Sequence, residues 1–394
     1  MKIIHISIYP EKNKKHSRAG GVASYTKNLI TSIPYQENDK VFILCNKIDG
    51  KYEKYTEDNI TVIRCFDKNP KYFFQILKEV KKIKPDVIHI QQELALFGGV
   101  LTAYLLQWLL FLLKKYRLII TLHGVVSLRK IDKSFIKENN SNLPVWLTKI
   151  AFYIIYKPLC LWSKKIIVHE EYFKNILADE YHIKKDKIEV ICHGVEDLKT
   201  IDKIVAYNKL GLDEKKDTCL FMGYLTGYKG IDLLIDGFSE YCKLNKNAFL
   251  IIGAGKHPKL KDDKNYLKEY KRLEDKAKSL IPENQFRWIG FIDECDIINY
   301  YSACDIALAP YTIAMSSSGP LSLAIGYEKP FLASDVFDKI LPIGTIFKKT
   351  SEDLSQKLKE FFENQDKFKN EVEEMKMERL WDKVGIKSYK IYEN

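Results

Sequence analysis

The chain is short of the features that would mark several common classes of protein. None of its eight cysteines, at positions 45, 65, 160, 192, 219, 242, 295 and 304, belongs to a Cys-x-x-Cys pair. Most lie inside apolar runs, so they read as buried thiols of a reducing compartment and not as a disulfide framework or a zinc ribbon. The amino-terminal MKIIHISIYP is a short strand and a turn without the long apolar core of an export signal, and a cytoplasmic location is expected. No arginine-rich arm or zinc-finger spacing occurs, and Lys and Arg are spread through the sequence, which argues against nucleic acid as a partner. The full Gly-x-Gly-x-x-Gly dinucleotide fingerprint is absent. No Asp-x-Asp run closes a strand, so no bound divalent metal or other cofactor is expected. There is no internal repeat and no low-complexity tract.

What is present is a globular composition, 46% apolar and 29% charged, over 394 residues, enough for two domains of ordinary size. Lys and Arg number 63 against 52 Asp and Glu, a net charge of +11, a modest bias that suits an anionic ligand or an anionic membrane surface.

The stretch that organises the rest is PYTIAMSSSGPLSLAIGYEKPFLAS at 310–334. A buried strand at 305–309 precedes it. Three hydroxyls and a glycine follow, then Pro320 in a first helical turn, an apolar helix to Tyr327 and a second strand at 330–333. A helix N-terminus offers unpaired N–H groups and the positive end of its dipole, which together suit an anion. Ser316, Ser317 and Ser318 add hydroxyls, Gly319 permits close approach, and the backbone donors are expected from Ser318, Gly319 and Leu321. The plain alternative is an ordinary capped helix of an α/β sheet.

The chain reads as two α/β series. In the first, strands are expected at 1–10, 41–45, 60–66, 85–90, 118–122, 166–168 and 188–192, with helices at 23–33 and 71–83. Gly20-Gly21 opens the first helix, again a phosphate-approach geometry or a simple tight turn. Four strands end in polar groups: Gln91-Gln92-Glu93, His123-Gly124, His169-Glu170-Glu171 and His193-Gly194. Such ends are where open α/β sheets bind ligands. Residues 196–216 are polar with no clear strand, and the domain boundary is placed there. The second series has strands at 218–222, 249–253, 286–292 and 305–309, helices at 231–243, 266–280 and 296–303, a loop at 223–230, and two or three closing helices.

Taken together, these motifs resemble the retaining family-4 glycosyltransferases of the GT-B fold. The resemblance rests on GGVASYTKNL at 20–29, PDVIHIQQELALFGG at 85–99, TLHG at 121–124, VHEEY at 168–172 and HGV at 193–195. It continues through MGYLTGYKGIDLLIDGF at 222–238, IIGAG at 251–255, GFIDECDIINYYSACDIALAPY at 290–311, EKPFLAS at 328–334 and WDKVGIKSYKIYE at 381–393. It implies an α/β protein of two Rossmann-like, doubly wound domains facing a central cleft. Residues 1–195 with a crossover helix at 381–394 would hold the acceptor, and 196–380 the nucleotide sugar. It implies that Gly20 and Gly21 lie near the donor diphosphate, that His123 reaches the sugar as the catalytic-side histidine, and that Lys229 holds phosphate. Tyr224 stands in the donor loop, Phe291 and Ile292 where the fold reads the base, and Gln92, Glu93 and Glu171 on the acceptor side.

Three positions depart from the family pattern. An Arg beside the loop glycine is replaced in Gly223-Tyr224-Leu225, and the usual pair of glutamates falls on Met315 and Leu323. An active variant branch is the favoured reading: a hexosyltransferase acting from a nucleoside-diphosphate sugar on a glycan or lipid-linked acceptor. A catalytically silent GT-B partner subunit or membrane scaffold is the alternative. A sugar phosphorylase is a third, although no pyridoxal site is evident. The apolar runs at 97–113 and 146–162, interleaved with aromatics and followed by Lys pairs, are either core helices or a face on a membrane interface, which would place the enzyme peripherally on the cytoplasmic membrane face.

Overall fold

The computed structural model describes residues 1–12, 21–138, 142–213, 216–258, 260–313 and 318–393. Two compact units divide the chain: Met1–Gly194 with Trp381–Asn394, and Val195–Leu380. The first break falls one residue before the expected 195/196 boundary.

In the first unit β1 (Lys2–Ile6), α1 (Gly21–Ser32), β2 (Lys40–Asn46), β3 (Glu53–Glu57), β4 (Ile60–Phe66), α2 (Tyr72–Ile83), β5 (Val87–Gln92), α3 (Val100–Leu113), β6 (Arg117–Leu122), α4 (Lys133–Glu138), α5 (Val145–Trp162), β7 (Lys165–Val168), α6 (Glu171–Tyr181) and β8 (Ile188–Val190) follow in order. The strands form one sheet, β3-β4-β2-β1-β5-β6-β7-β8, parallel except for β3 against β4. Continuous apolar runs such as Ile3-Ile4 and Leu118–Leu122 are what a parallel strand covered on both faces requires. One face is covered by α2, α3, α5 and α6. On the other, α1 packs with the chain's last helix around Ile3, Leu29, Trp381, Val384 and Tyr392.

The second unit runs α7 (Lys203–Leu210), β9 (Asp217–Tyr224), α8 (Ile231–Leu244), β10 (Ala248–Gly255), α9 (Lys264–Leu280), β11 (Phe286–Trp288), α10 (Ile297–Ala303), β12 (Ile306–Ala309), α11 (Gly319–Gly326), β13 (Phe331–Ser334), β14 (Ile346–Phe347), α12 (Ser351–Glu363) and α13 (Gln365–Arg379). Its sheet is parallel, in the order β11-β10-β9-β12-β13-β14. The closing helix α14 (Trp381–Glu393) belongs to the first unit. There Gly385 brings it against α1, since a Cβ would stand 2.0 Å from the Ser32 carbonyl oxygen.

One expectation needs correction, and two elements were not foreseen. The strand expected over 286–292 ends at Trp288, because Gly290 turns the chain at φ +73°. The polar linker contains α7, started by Asp202, whose carboxylate accepts the Val205 N–H at 3.1 Å. The edge strand β3, EKYTE, is mostly exposed and lacks the alternation that reveals a half-buried strand.

The eight cysteines carry no disulfide: six are buried, Cys192 is half-buried and Cys295 is exposed. Burial pushes the thiols of Cys45, Cys160, Cys242 and Cys304 up to about 12.

Candidate functional site

In an open α/β sheet the crevice for ligands opens at the carboxyl ends of strands where the winding reverses. In the second unit that point lies between β9 and β12, and the sequence puts Gly223-Tyr224 and Pro310-Tyr311 there. Gly223 adopts φ +146°, and a Cβ on it would meet Lys229 Cε at 3.5 Å and Pro320 Cγ at 3.9 Å. The glycine, the lysine and the start of α11 therefore converge.

Lys229 comes from a 3-10 turn, Gly227–Lys229, that leads into α8 through Gly230. Gly230 has φ +65°, and a Cβ there would lie 1.8 Å from the Pro310 carbonyl oxygen, so only glycine fits. The lysine is 7% exposed, and its Nζ lies 3.9 Å from the Tyr311 ring centroid and 5.2 Å from that of Tyr228. It donates to the Tyr311 hydroxyl. Among the described residues no carboxylate pairs with it, and burial alone lowers its pKa from 10.5 to about 8. Lys376, equally buried at 3%, shows the usual arrangement: Asp197 at 2.6 Å and Glu328 at 2.7 Å. The ammonium of Lys229 thus sits in a box of aromatic faces and hydroxyls with no anion among the described residues.

The box continues into α11. Tyr311 and Ser318 are joined hydroxyl to hydroxyl at 2.8 Å, and Ser318 Oγ accepts the Leu321 N–H at 3.5 Å. With the lysine proton on the Tyr311 oxygen, the tyrosine donates to Ser318, and the Ser318 hydroxyl proton is left for a ligand. Leu321 is corrected here: its N–H is used by the Ser318 cap and is not a free donor. Gly319 opens α11 into space, with nothing within 4 Å of a Cβ position. Ser316, Ser317 and Met315 lie outside the described residues. Leu323, at the position of the family's second glutamate, packs against the core beneath the helix.

Beside this box is an aromatic pair. Tyr224 and Phe291 are both exposed and stack with centroids 5.7 Å apart at 17°, and His257 meets Tyr224 edge-on at 5.6 Å. Phe291 rests on β10 where Gly255 leaves room, since a Cβ there would approach Phe291 Cδ2 to 2.8 Å. Ile292 is buried over Gly253. A cavity of about 410 Å³ lies on the other flank of the 225–233 loop, lined by Leu225, Tyr266 and Leu273; it includes neither Lys229 nor the aromatic pair.

The first unit holds a buried chain of histidines. His169 Nδ1 stands 3.0 Å from the Ile191 carbonyl, which can only accept, so the proton is on Nδ1. His169 Nε2 lies 3.3 Å from His123 Nδ1. Burial holds His123 well below its usual range and disfavours an imidazolium, and its Nε2 donates to Gln91 Oε1 at 2.9 Å. The Gln91 NH2 group faces His89 Nε2 at 3.3 Å and donates to it. His89 Nε2 also meets Thr121 Oγ1 at 2.7 Å, and His89 Nδ1 stands 2.6 Å from the Tyr392 hydroxyl of α14. Tyr25 of α1 packs on His123, His169 and His193 with centroids 4.6, 5.1 and 5.1 Å away.

Sequence reasoning placed His123, His169 and His193 at strand ends. The structure brings them together in a buried aromatic cluster, and both ring nitrogens of His123 are engaged. Gln92 is buried with its Oε1 unpartnered, Glu93 and Glu171 are exposed, and Gly21 begins α1 at the surface. Gly20 lies outside the described residues. Tyr311, Tyr392 and Gln91 were not singled out for these roles; for Tyr311, its place directly after the β12 strand was the available signal.

Residues 19–197 match the family described as Glycosyltransferase Family 4, and residues 202–377 match Glycosyl transferases group 1. The chain belongs to the family-4 type of glycosyltransferases and has the two-domain GT-B fold. Over its whole length it is similar to the sucrose-phosphate synthase of Thermosynechococcus elongatus, with TM-score 0.73, 15% identity and 98% of that chain covered. Anabaena Alr3699/HepE, solved in complex with UDP, gives TM-score 0.67 and 14% identity over 99% of both chains. In sequence, it is 27% identical to the mannosylfructose-phosphate synthase of Agrobacterium fabrum over 187 residues, 42% of this chain and 40% of that protein. The chain thus spans about two fifths of the length of this curated relative in the matched region.

Proposed function

We propose that the protein transfers a hexosyl group, with retention, from a nucleoside-diphosphate sugar to a glycan or lipid-linked acceptor in the cytoplasm. The observation that carries this reading is the buried Lys229, without a counter-ion among the described residues, at the strand-order reversal of its sheet and beside the opening of α11. A diphosphate would supply the missing anion. As the C1–O bond to phosphate breaks, negative charge grows on the departing nucleoside diphosphate. Lys229, the Ser318 hydroxyl and the Gly319 N–H would stabilise it without a metal. The new C1–O bond forms on the same face, and the acceptor proton passes to the departing phosphate oxygen, so no protein nucleophile is needed. The exposed Tyr224–Phe291 pair offers flat faces for the base. The His123 Nε2–H would turn from Gln91 Oε1 to a sugar hydroxyl. UDP bound to the Anabaena relative supports a nucleotide donor.

A silent partner subunit is the second reading, favoured by the half-buried Leu323 standing where a ribose-binding carboxylate is usual. Calorimetric titration with UDP, GDP, ADP and their hexose conjugates decides between them. Selective binding that Lys229→Met abolishes supports the transferase. Absence of binding to every nucleotide removes it and favours the silent subunit.

A further inference from the structure

We propose that the outer face of α3 and α5 docks flat on a bilayer bearing anionic headgroups. The two helices cover the same side of the first unit's sheet and touch each other, Phe111 against Trp162 at 5.0 Å and the Tyr104 hydroxyl on the Ala151 carbonyl at 3.5 Å. Crossover helices ordinarily turn a polar face to water. Here the outward positions are Leu101, Trp108 and Leu112 on α3, and Trp146, Ile150 and Ile154 on α5, all exposed. Their spacing of 7 and 4 residues on α3, and 4 and 4 on α5, sets each trio on one stripe. The two tryptophans are 58% and 64% exposed, so they are unusual surface residues and not the edges of a core.

Charge chooses the occupant. From Leu94 to Ile131 the chain has five basic residues and no acidic one, and from Asn142 to His169 it has four and none. Lys114, Lys115 and Lys164 are exposed at the carboxyl ends of the two helices, with Lys114 lying 4.2 Å over the Phe111 ring. An apolar stripe with tryptophans and a basic rim fits the boundary between acyl chains and anionic headgroups. A second copy fits worse, because a self-complementary contact would set these lysines against one another. By length and composition α5 could cross a membrane, but its inner side packs in the first unit's core and it is fixed at its end, where the Lys164 N–H bonds to the Leu118 carbonyl of β6 at 2.7 Å. It therefore lies along the surface.

The face is independent of the donor site, and its test does not depend on nucleotide binding. The full chain is floated with vesicles of equal parts phosphatidylcholine and phosphatidylglycerol, and with phosphatidylcholine alone. The expected result is binding to the anionic vesicles, weakened by salt, with a blue shift of tryptophan emission. Trp108→Glu with Ile150→Glu should lower the bound fraction about tenfold or more with unchanged melting. Lys114→Glu, Lys115→Glu and Lys164→Glu together should remove the preference for anionic lipid. The proposal is overturned if the wild type stays behind, or if the Trp108/Ile150 variant floats equally well. It is also overturned if sedimentation shows a dimer that this variant dissociates while lipid binding is absent.

Discussion

Lys229 has a dissociation constant that can be read as a stability statement. Its pKa is about 8 in the fold and near its ordinary 10.5 in the unfolded chain. Between those values the unfolded state holds the proton and the native state has released it. Stability therefore rises as pH climbs through that window, and below about 8 the full penalty of the buried charge is present. Lys229→Met should leave the melting temperature equal or higher at pH 7 and flatten this rise, while nucleotide affinity falls tenfold or more. Nucleotide affinity of the wild type should weaken above about pH 8, as the ammonium titrates. Equal affinity across that range, measured by calorimetry, would exclude Lys229 from the phosphate contact. The sequence showed this lysine only through its motif. Its burial, its aromatic walls and the loss of Leu321 as a donor depend on Tyr311 and Ser318 meeting across the end of the sheet, and no local pattern encodes that meeting.

Among the elements, the turn into α8 is held by one atom-sized constraint. Gly230→Ala must place a methyl group on the Pro310 carbonyl and hold a left-handed φ, so it should destabilise the second unit by on the order of 3 kcal/mol. Chemical denaturation reads this directly. Most strands of both sheets were legible because parallel strands buried on two faces are rich in Ile, Leu and Val, but the two-residue β14 was too short to show. The exposed β3 did not show either, and α7 was hidden in a polar stretch whose only mark was the Asp202 cap. Gly290 cut β11 short where the apolar pattern ran on, so backbone conformation overrode hydrophobicity there.

At the scale of the molecule, α14 completes the first unit from the far end of the chain. It brings Trp381 beneath Gly194, where a Cβ would stand 2.3 Å from the indole, and Tyr392 onto His89. Removing residues 381–394 should destabilise the first unit and increase amide exchange in β1 and β5, while the second unit melts as before. The same unit should be sensitive to mild acid. Burial, with a further contribution from neighbouring histidines, holds His5 and His123 well below 6.5, and burial lowers His89 to about 3. The unfolded chain takes up these protons below about 6.5 and the native chain does not, so stability falls as pH drops through that value. Melting curves between about pH 7 and 5 should show the loss, and His89→Gln should reduce it.

The distribution of the cysteines has a practical consequence. Six thiols are enclosed, and Cys295 is exposed four residues after Phe291. A maleimide dye applied briefly at neutral pH should label Cys295 first, without engineering the other seven positions. Such a fluorophore would stand close to the exposed Tyr224–Phe291 pair, and its emission would provide a direct optical assay for screening unlabelled nucleotides.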